Sequence, residues 1–303
     1  MRLRFALLVL APWFAAGAWA HDVSRIAAST VPPDPHLSFD PWTGVPLVVS
    51  ALLYGWGVIR LWRRAGRGRG ISYVQLLYFV AGWLALAVAL LSPIETLGTY
   101  SFATHMLQHE LLMAVGAPLM VLSRPLAAWT WALSAEGRRS AGRGMRHPLF
   151  AAAWGFITAP VPAWGLHAVA LWAWHAPALF NATLVDDTAH TLQHICFLAT
   201  ALLFWWTVLG RDARVAPGVP ILSLLTTLIH TGILGALITF APSVWYSVYL
   251  TRSPLLGLDP LVDQQLGGLI MWVPAGAVYL IAALALMLRW LRPALTGRTA
   301  TLR

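Results

Sequence analysis

Seven apolar runs, each about as long as a membrane-spanning helix, fill most of this chain and leave only short connections. They cover residues 42–62, 71–92, 100–122, 149–174, 187–209, 218–241 and 264–290. Hydrocarbon offers no partner for backbone N–H and C=O groups, so such runs cross it as helices whose hydrogen bonds are internal. Only 10% of the 303 residues are charged, against about 25% in a soluble domain. The predicted fold class is therefore an all-α polytopic membrane protein, a seven-helix bundle with no room for a separate soluble domain. In the fourth run, Pro160, Pro162 and Gly165 predict a kink or local break. Leu126 to Ala135, with Trp129 and Trp131, reads as a short helix lying in the interface.

Positive charge is carried by arginine alone, since lysine is absent, and the formal net charge is +9. A basic balance can signal nucleic acid, but here the arginines gather between apolar runs. The connections 63–70, 123–148 and 210–217 and the C-terminal end hold Arg63, Arg64, Arg67, Arg69, Arg124, Arg138, Arg139, Arg143, Arg146, Arg211, Arg214, Arg289, Arg292, Arg298 and Arg303. The opposite loops hold only Arg25 and Arg252, together with most of the acidic residues, among them Glu95, Asp186, Asp187, Asp259 and Asp263. Arginine-rich loops stay cytoplasmic, so the N-terminus is expected outside and the C-terminus inside.

Residues 1–20 read as a signal peptide, with Arg2 and Arg4, an apolar stretch and Ala18-Trp19-Ala20 as the cleavage site. Cleavage would expose His21, whose amine and imidazole together could chelate copper, though no second ligand is identified. Without cleavage the segment becomes one further span and the topology downstream is unchanged. Residues 21–41 are expected to form an exported, proline-rich segment, 42–291 the transmembrane domain and 292–303 a basic cytoplasmic tail. The single cysteine, Cys196, rules out an intrachain disulfide and a CxxC metal site.

Chemistry concentrates in one repeated motif. His105-Met106-Leu107-Gln108-His109 and His190-Thr191-Leu192-Gln193-His194 both read H-x-x-Q-H. Helix positions four apart share a face, so each motif offers a pair of imidazoles. Histidines inside a bilayer can serve as hydrogen-bonded glue between helices, but ionisable groups there are costly and commonly mark function. The third and fifth runs both pass from outside to inside, with both motifs early in them, which places four imidazoles at one outward depth. His175, Asp263 and Met271 fall at the same level and are weaker candidate ligands. Met106 and Met113 are more easily explained by packing. His167 and His230 lie deeper and suit hydrogen-bonded helix contacts. His36 and His147 belong to loops. Glu110 points away from its own pair and could orient an imidazole on a neighbouring helix.

Imidazole suits copper, zinc and iron, and nearby thioethers favour copper. Haem is the rival cofactor, using one histidine from each motif. Two stacked haems would need ligands about 13–14 residues apart, and a single haem would leave two histidines unused. Zinc remains a lesser alternative, and HExxH, the zinc-protease signature, is absent.

At these residues the chain resembles the CtaG family of cytochrome c oxidase assembly factors, the multi-pass membrane kind associated with caa-type oxidases. The similarity runs over about residues 38–290. It includes Ser38-Phe39-Asp40-Pro41-Trp42, Ser92-Pro93-Ile94, both H-x-x-Q-H motifs, Trp174-His175-Ala176-Pro177 and Asp263-Gln264-Gln265-Leu266-Gly267-Gly268. The resemblance implies maturation of a haem-copper oxidase in the bacterial plasma membrane, with copper passed to an oxidase subunit at the exported side. It implies His105, His109, His190 and His194 as metal ligands, with His175, Asp263 and Met271 in support. No nucleophile–base pair is recognisable, so an enzyme is not expected. A scaffold or permease whose motifs only join helices is the remaining reading.

Overall fold

The computed structural model describes residues 34, 37, 41–210 and 216–297. The signal-like segment, His21, His36 and residues 298–303 lie outside the described residues. All regular structure among the described residues is helical. In order come α1 (Pro41–Ala65), α2 (Tyr73–Leu91), α3 (Pro93–Gly98) and α4 (Phe102–Glu110). A π-helical stretch (Leu111–Gly116) leads into α5 (Ala117–Leu122), then α6 (Pro125–Ala132), α7 (Ala135–Met145), α8 (Pro148–Ile157) and α9 (Pro160–His175). The remainder is α10 (Pro177–Thr183), α11 (Asp187–Leu209), α12 (Gly218–Thr239), α13 (Tyr249–Arg252), a 3-10 turn (Ser253–Leu256) and α14 (Pro260–Gly297). Five of these are long and apolar enough to cross a membrane, or up to seven if each of two bent pairs is one span.

Proline sets the breaks. It occupies the first turn of α3, α6, α8, α9 and α10, where its missing N–H costs nothing. The residue before a proline is pushed out of the helical region. Ala159 accordingly sits at φ −70°, ψ 146°, and α8 and α9 meet at 62°. The break expected in the fourth run is therefore real and falls at Pro160. The end of the third run turns by 57° into α6 through Arg124, which adopts a left-handed φ of 56°.

The short helix expected near Leu126 forms as α6 and docks on α1. Trp129 Nε1 donates to the Ser50 carbonyl at 3.1 Å and Arg60 Nη1 to the Ala132 carbonyl at 2.9 Å. The approach depends on Gly57, where an added methyl would overlap the Ala128 carbonyl. Gly57→Ala should therefore destabilise the protein by about 1–3 kcal/mol, seen as a lower thermal midpoint in detergent. Helices α12 and α14 approach equally closely: a Cβ at Gly268 would lie 2.6 Å from the Thr239 nitrogen and 2.8 Å from the Gly235 carbonyl oxygen. The small residues expected at helix contacts do that here.

Both histidine-bearing helices start from side-chain caps four residues upstream of their first histidine. Ser101 Oγ accepts from the Thr104 amide at 3.2 Å, ahead of His105. Asp186 Oδ1 accepts from the Thr188 and Ala189 amides at 2.7 and 3.0 Å, ahead of His190. A capped end leaves no freedom to fray, so the caps set the height of each first imidazole. For α4 the cap is extended by a residue far away in sequence. Asp263, in the first turn of α14, accepts from Ser101 Oγ at 2.7 Å and from the Phe102 and Ala103 amides at 2.8 and 3.2 Å. A carboxylate at a helix N-terminus satisfies orphan donors and complements the helix dipole.

Candidate metal centre

Helices α4 and α11 turn their histidines toward each other. Ring centroids are 4.4 Å apart for His105–His109 and 4.3 Å for His190–His194. Across the helices they are 5.4 Å for His105–His190, 5.5 Å for His109–His194 and 6.3 Å for His105–His194. The four imidazoles thus form one cluster. His105 and His109 are buried, at 0% and 1% exposure. Just after the motif, α4 widens into the π-helical stretch, a distortion common at functional sites. There Trp205 Nε1 donates to the Met113 carbonyl at 2.9 Å, so α11 takes up an acceptor that the altered register leaves over.

Within the cluster the donor atoms fall into two overlapping triads. His105, His109 and His194 offer ligand atoms within 4.8 Å of one another, and so do Glu95, His190 and His194. Both nitrogens of His109, Nε2 of His194 and Nε2 of His175 are buried without a hydrogen-bond partner among the described residues. An unpaired buried polar atom costs about 1–3 kcal/mol, and a metal ion would satisfy several at once. The residues present therefore fit a metal ion.

Hydrogen bonds around the rings orient them. His105 Nδ1 lies 3.3 Å from both the Gly98 carbonyl and the Tyr249 hydroxyl, and its Nε2 is 3.4 Å from Gln193 Oε1. Tyr249 donates to the Gly98 carbonyl at 2.7 Å. Burial, and after it the Asp263 carboxylate, hold the Tyr249 phenol well above its ordinary pKa, so it stays a donor. The glutamine of each motif thus serves the site as well: Gln193 reaches across to His105, and Gln108 Nε2 donates to the Ala89 carbonyl at 2.9 Å and to Glu95.

The other candidates are placed differently. His175, at the end of α9, lies 6.2 Å from His109 between centroids and stands beside the triads rather than in them. Its Nδ1 is 2.7 Å from the Leu171 carbonyl, which fixes the proton there and leaves Nε2 as the lone-pair nitrogen. Asp263 is engaged in capping α4 and also accepts from Ser253 Oγ at 3.0 Å. Met271 and Met106 pack with Phe102, Phe180, Tyr246 and Tyr249 in an apolar cluster. His167 Nδ1 meets Thr200 Oγ1 at 3.2 Å, and His230 Nδ1 accepts from Trp172 at 3.4 Å, the helix contacts their depth suggested.

Glu95 is the residue that sequence reasoning missed. It sits in the first turn of α3, started by the Ser92 cap and Pro93, and its Oε1 lies 3.8 Å from His190 Nδ1. The signal was its position directly after Ser92-Pro93-Ile94, a stretch already notable. The carboxylate that reaches the imidazoles is this one rather than Glu110.

Comparison with known proteins adds the family. An uncharacterized protein of Mycobacterium bovis and one of Mycobacterium tuberculosis are each 26% identical over 261 residues, 84% of this chain. The chain spans only 39% of the length of these relatives. No solved structure gives a significant match. The model of the cytochrome c oxidase caa3 assembly factor family matches residues 52–293. That stretch runs from the middle of α1 into the end of α14 and takes in Glu95 and both histidine motifs, and by it the chain belongs to the cytochrome c oxidase caa3 assembly factor (CtaG) family.

Proposed function

We propose that this assembly factor binds copper through the two H-x-x-Q-H motifs and hands it to a subunit of the oxidase. One observation carries the reading: three imidazoles, two of them fully buried, bring donor nitrogens within 4.8 Å of one another between α4 and α11, and those of His109 and His194 have no hydrogen-bond partner among the described residues. Neutral nitrogen donors without a thiolate cage bind copper firmly yet exchange it more readily than a closed sulfur site. Zinc would accept the same donors, and the copper assignment leans on the family's oxidase, whose centres contain copper. The protein acts as a carrier rather than a catalyst. The arginine asymmetry orients the chain with its N-terminus outside and its C-terminus in the cytoplasm. It thereby puts the histidine end of α4 and α11 on the exported side of the plasma membrane, where a recipient subunit would collect the metal.

Haem is the rival reading, with one histidine from each motif as its axial ligands; a single haem would leave two of the four clustered imidazoles unused. Metal analysis and the absorption spectrum of detergent-purified protein, from cells grown with and without copper, test the reading. The expected result is about one copper per chain, dependent on copper supply, and no Soret band. A Soret band with haem in place of copper would transfer the site to the haem reading, and a protein free of metal under both conditions would leave the motifs as helix joints.

A further inference from the structure

A metal ion holds its nitrogen ligands at about 2 Å, so the donors of one ion lie within roughly 4 Å of each other. The donors here come close to that condition three at a time, lying within 4.8 Å of one another in two sets with one member in common. We propose that copper occupies two overlapping stations sharing His194, an outer one made by Glu95 and His190 and an inner one made by His105 and His109, and moves between them by ligand exchange. The proposal rests on the copper reading above and adds Glu95 to the ligands.

The two sets differ in burial and in donor chemistry. The side chains of His190 and Glu95 are 11% and 13% exposed, whereas His105 and His109 are fully enclosed. An ion arriving from water therefore meets the Glu95 set first, and a carboxylate offsets part of the cost of stripping a cation's water. Carboxylate oxygen suits Cu(I) poorly compared with imidazole. The outer station is thus the weaker holder, fit for loading and release, and the inner station the stronger. Passage inward breaks the bonds from copper to Glu95 and His190, forms those to His105 and His109 and keeps the bond to His194. Copper remains Cu(I) throughout and no proton moves. The carboxylate left behind stays charged, with the Gln108 amide donating to it. Release reverses the sequence.

The full chain in detergent, mixed anaerobically with Cu(I) buffered by bicinchoninate, provides the test. Glu95→Gln should leave equilibrium affinity within about threefold of the parent while slowing both uptake and release at least tenfold, and Glu95→Asp should restore much of the rate. An isosteric amide that only disturbed packing would not slow both directions and spare the equilibrium. His105→Ala combined with His109→Ala should retain a weak Cu(I) site that disappears when Glu95→Gln is added. This second series decides the matter even if Glu95→Gln alone fails to fold. Parental exchange rates in Glu95→Gln, loss of equilibrium affinity there, or no weak site in the double variant would each overturn the two stations. A parent that binds no copper would instead overturn the function proposed above.

Discussion

Replacing His194 with alanine is expected to leave the purified protein without copper while it still inserts and folds. His194 belongs to both donor triads, so its removal leaves each with two ligands. An affinity loss of at least 100-fold, or about 3 kcal/mol, is expected. Its Nε2 has no hydrogen-bond partner to lose among the described residues, which is why folding should be spared. His109→Ala should also lose the copper that survives purification, because it dismantles the inner triad, yet it should still take up added Cu(I) weakly. Metal analysis with circular dichroism and size-exclusion chromatography would check both variants. Copper retained by His194→Ala at the parental level would sink the site.

Asp263→Asn should behave in the opposite way, costing stability and sparing stoichiometry. The carboxylate accepts four hydrogen bonds, from two serine hydroxyls and the first two amides of α4. An amide at that place offers one acceptor oxygen and turns an NH2 group toward donors. Losing buried hydrogen bonds to a charged acceptor costs about 1.5–3 kcal/mol apiece, so a total near 3 kcal/mol is expected after partial rearrangement. The thermal midpoint should fall clearly below that of the parent, with copper per chain unchanged. A variant that keeps its midpoint and loses its copper would make Asp263 a ligand instead.

These two residues mark where reading the sequence succeeds and where it runs out. The paired histidines were legible because a spacing of four on a helix has one geometric meaning, and because the arginine asymmetry puts both motifs at one outward depth. Asp263 lay at the right height to be taken for a ligand. Height along the membrane normal does not say toward which neighbour a side chain turns, and in the folded chain it turns to the backbone of α4. Glu95 reads only as one of the acidic residues of the outer loops, for the converse reason. It lies in a six-residue helix between two spans, with no periodic partner to draw attention to it.

The break at Pro160 was readable for a local reason: proline disfavours the helical conformation for the residue before it, and Pro160, Pro162 and Gly165 cluster there. The docking of α6 on α1 was not, because it depends on a glycine 71 residues before Ala128 whose value appears only when the two backbones meet. The sequence by itself determined the apolar spans, the breaks at proline and the two imidazole pairs, since each follows from residues within a few turns of one another. Only the tertiary structure decided that the four rings divide into two triads hinged on His194, that Glu95 completes one of them and that Asp263 anchors the other's helix. Those are contacts between segments up to 162 residues apart, and they are set by how helices pack rather than by what any one helix contains.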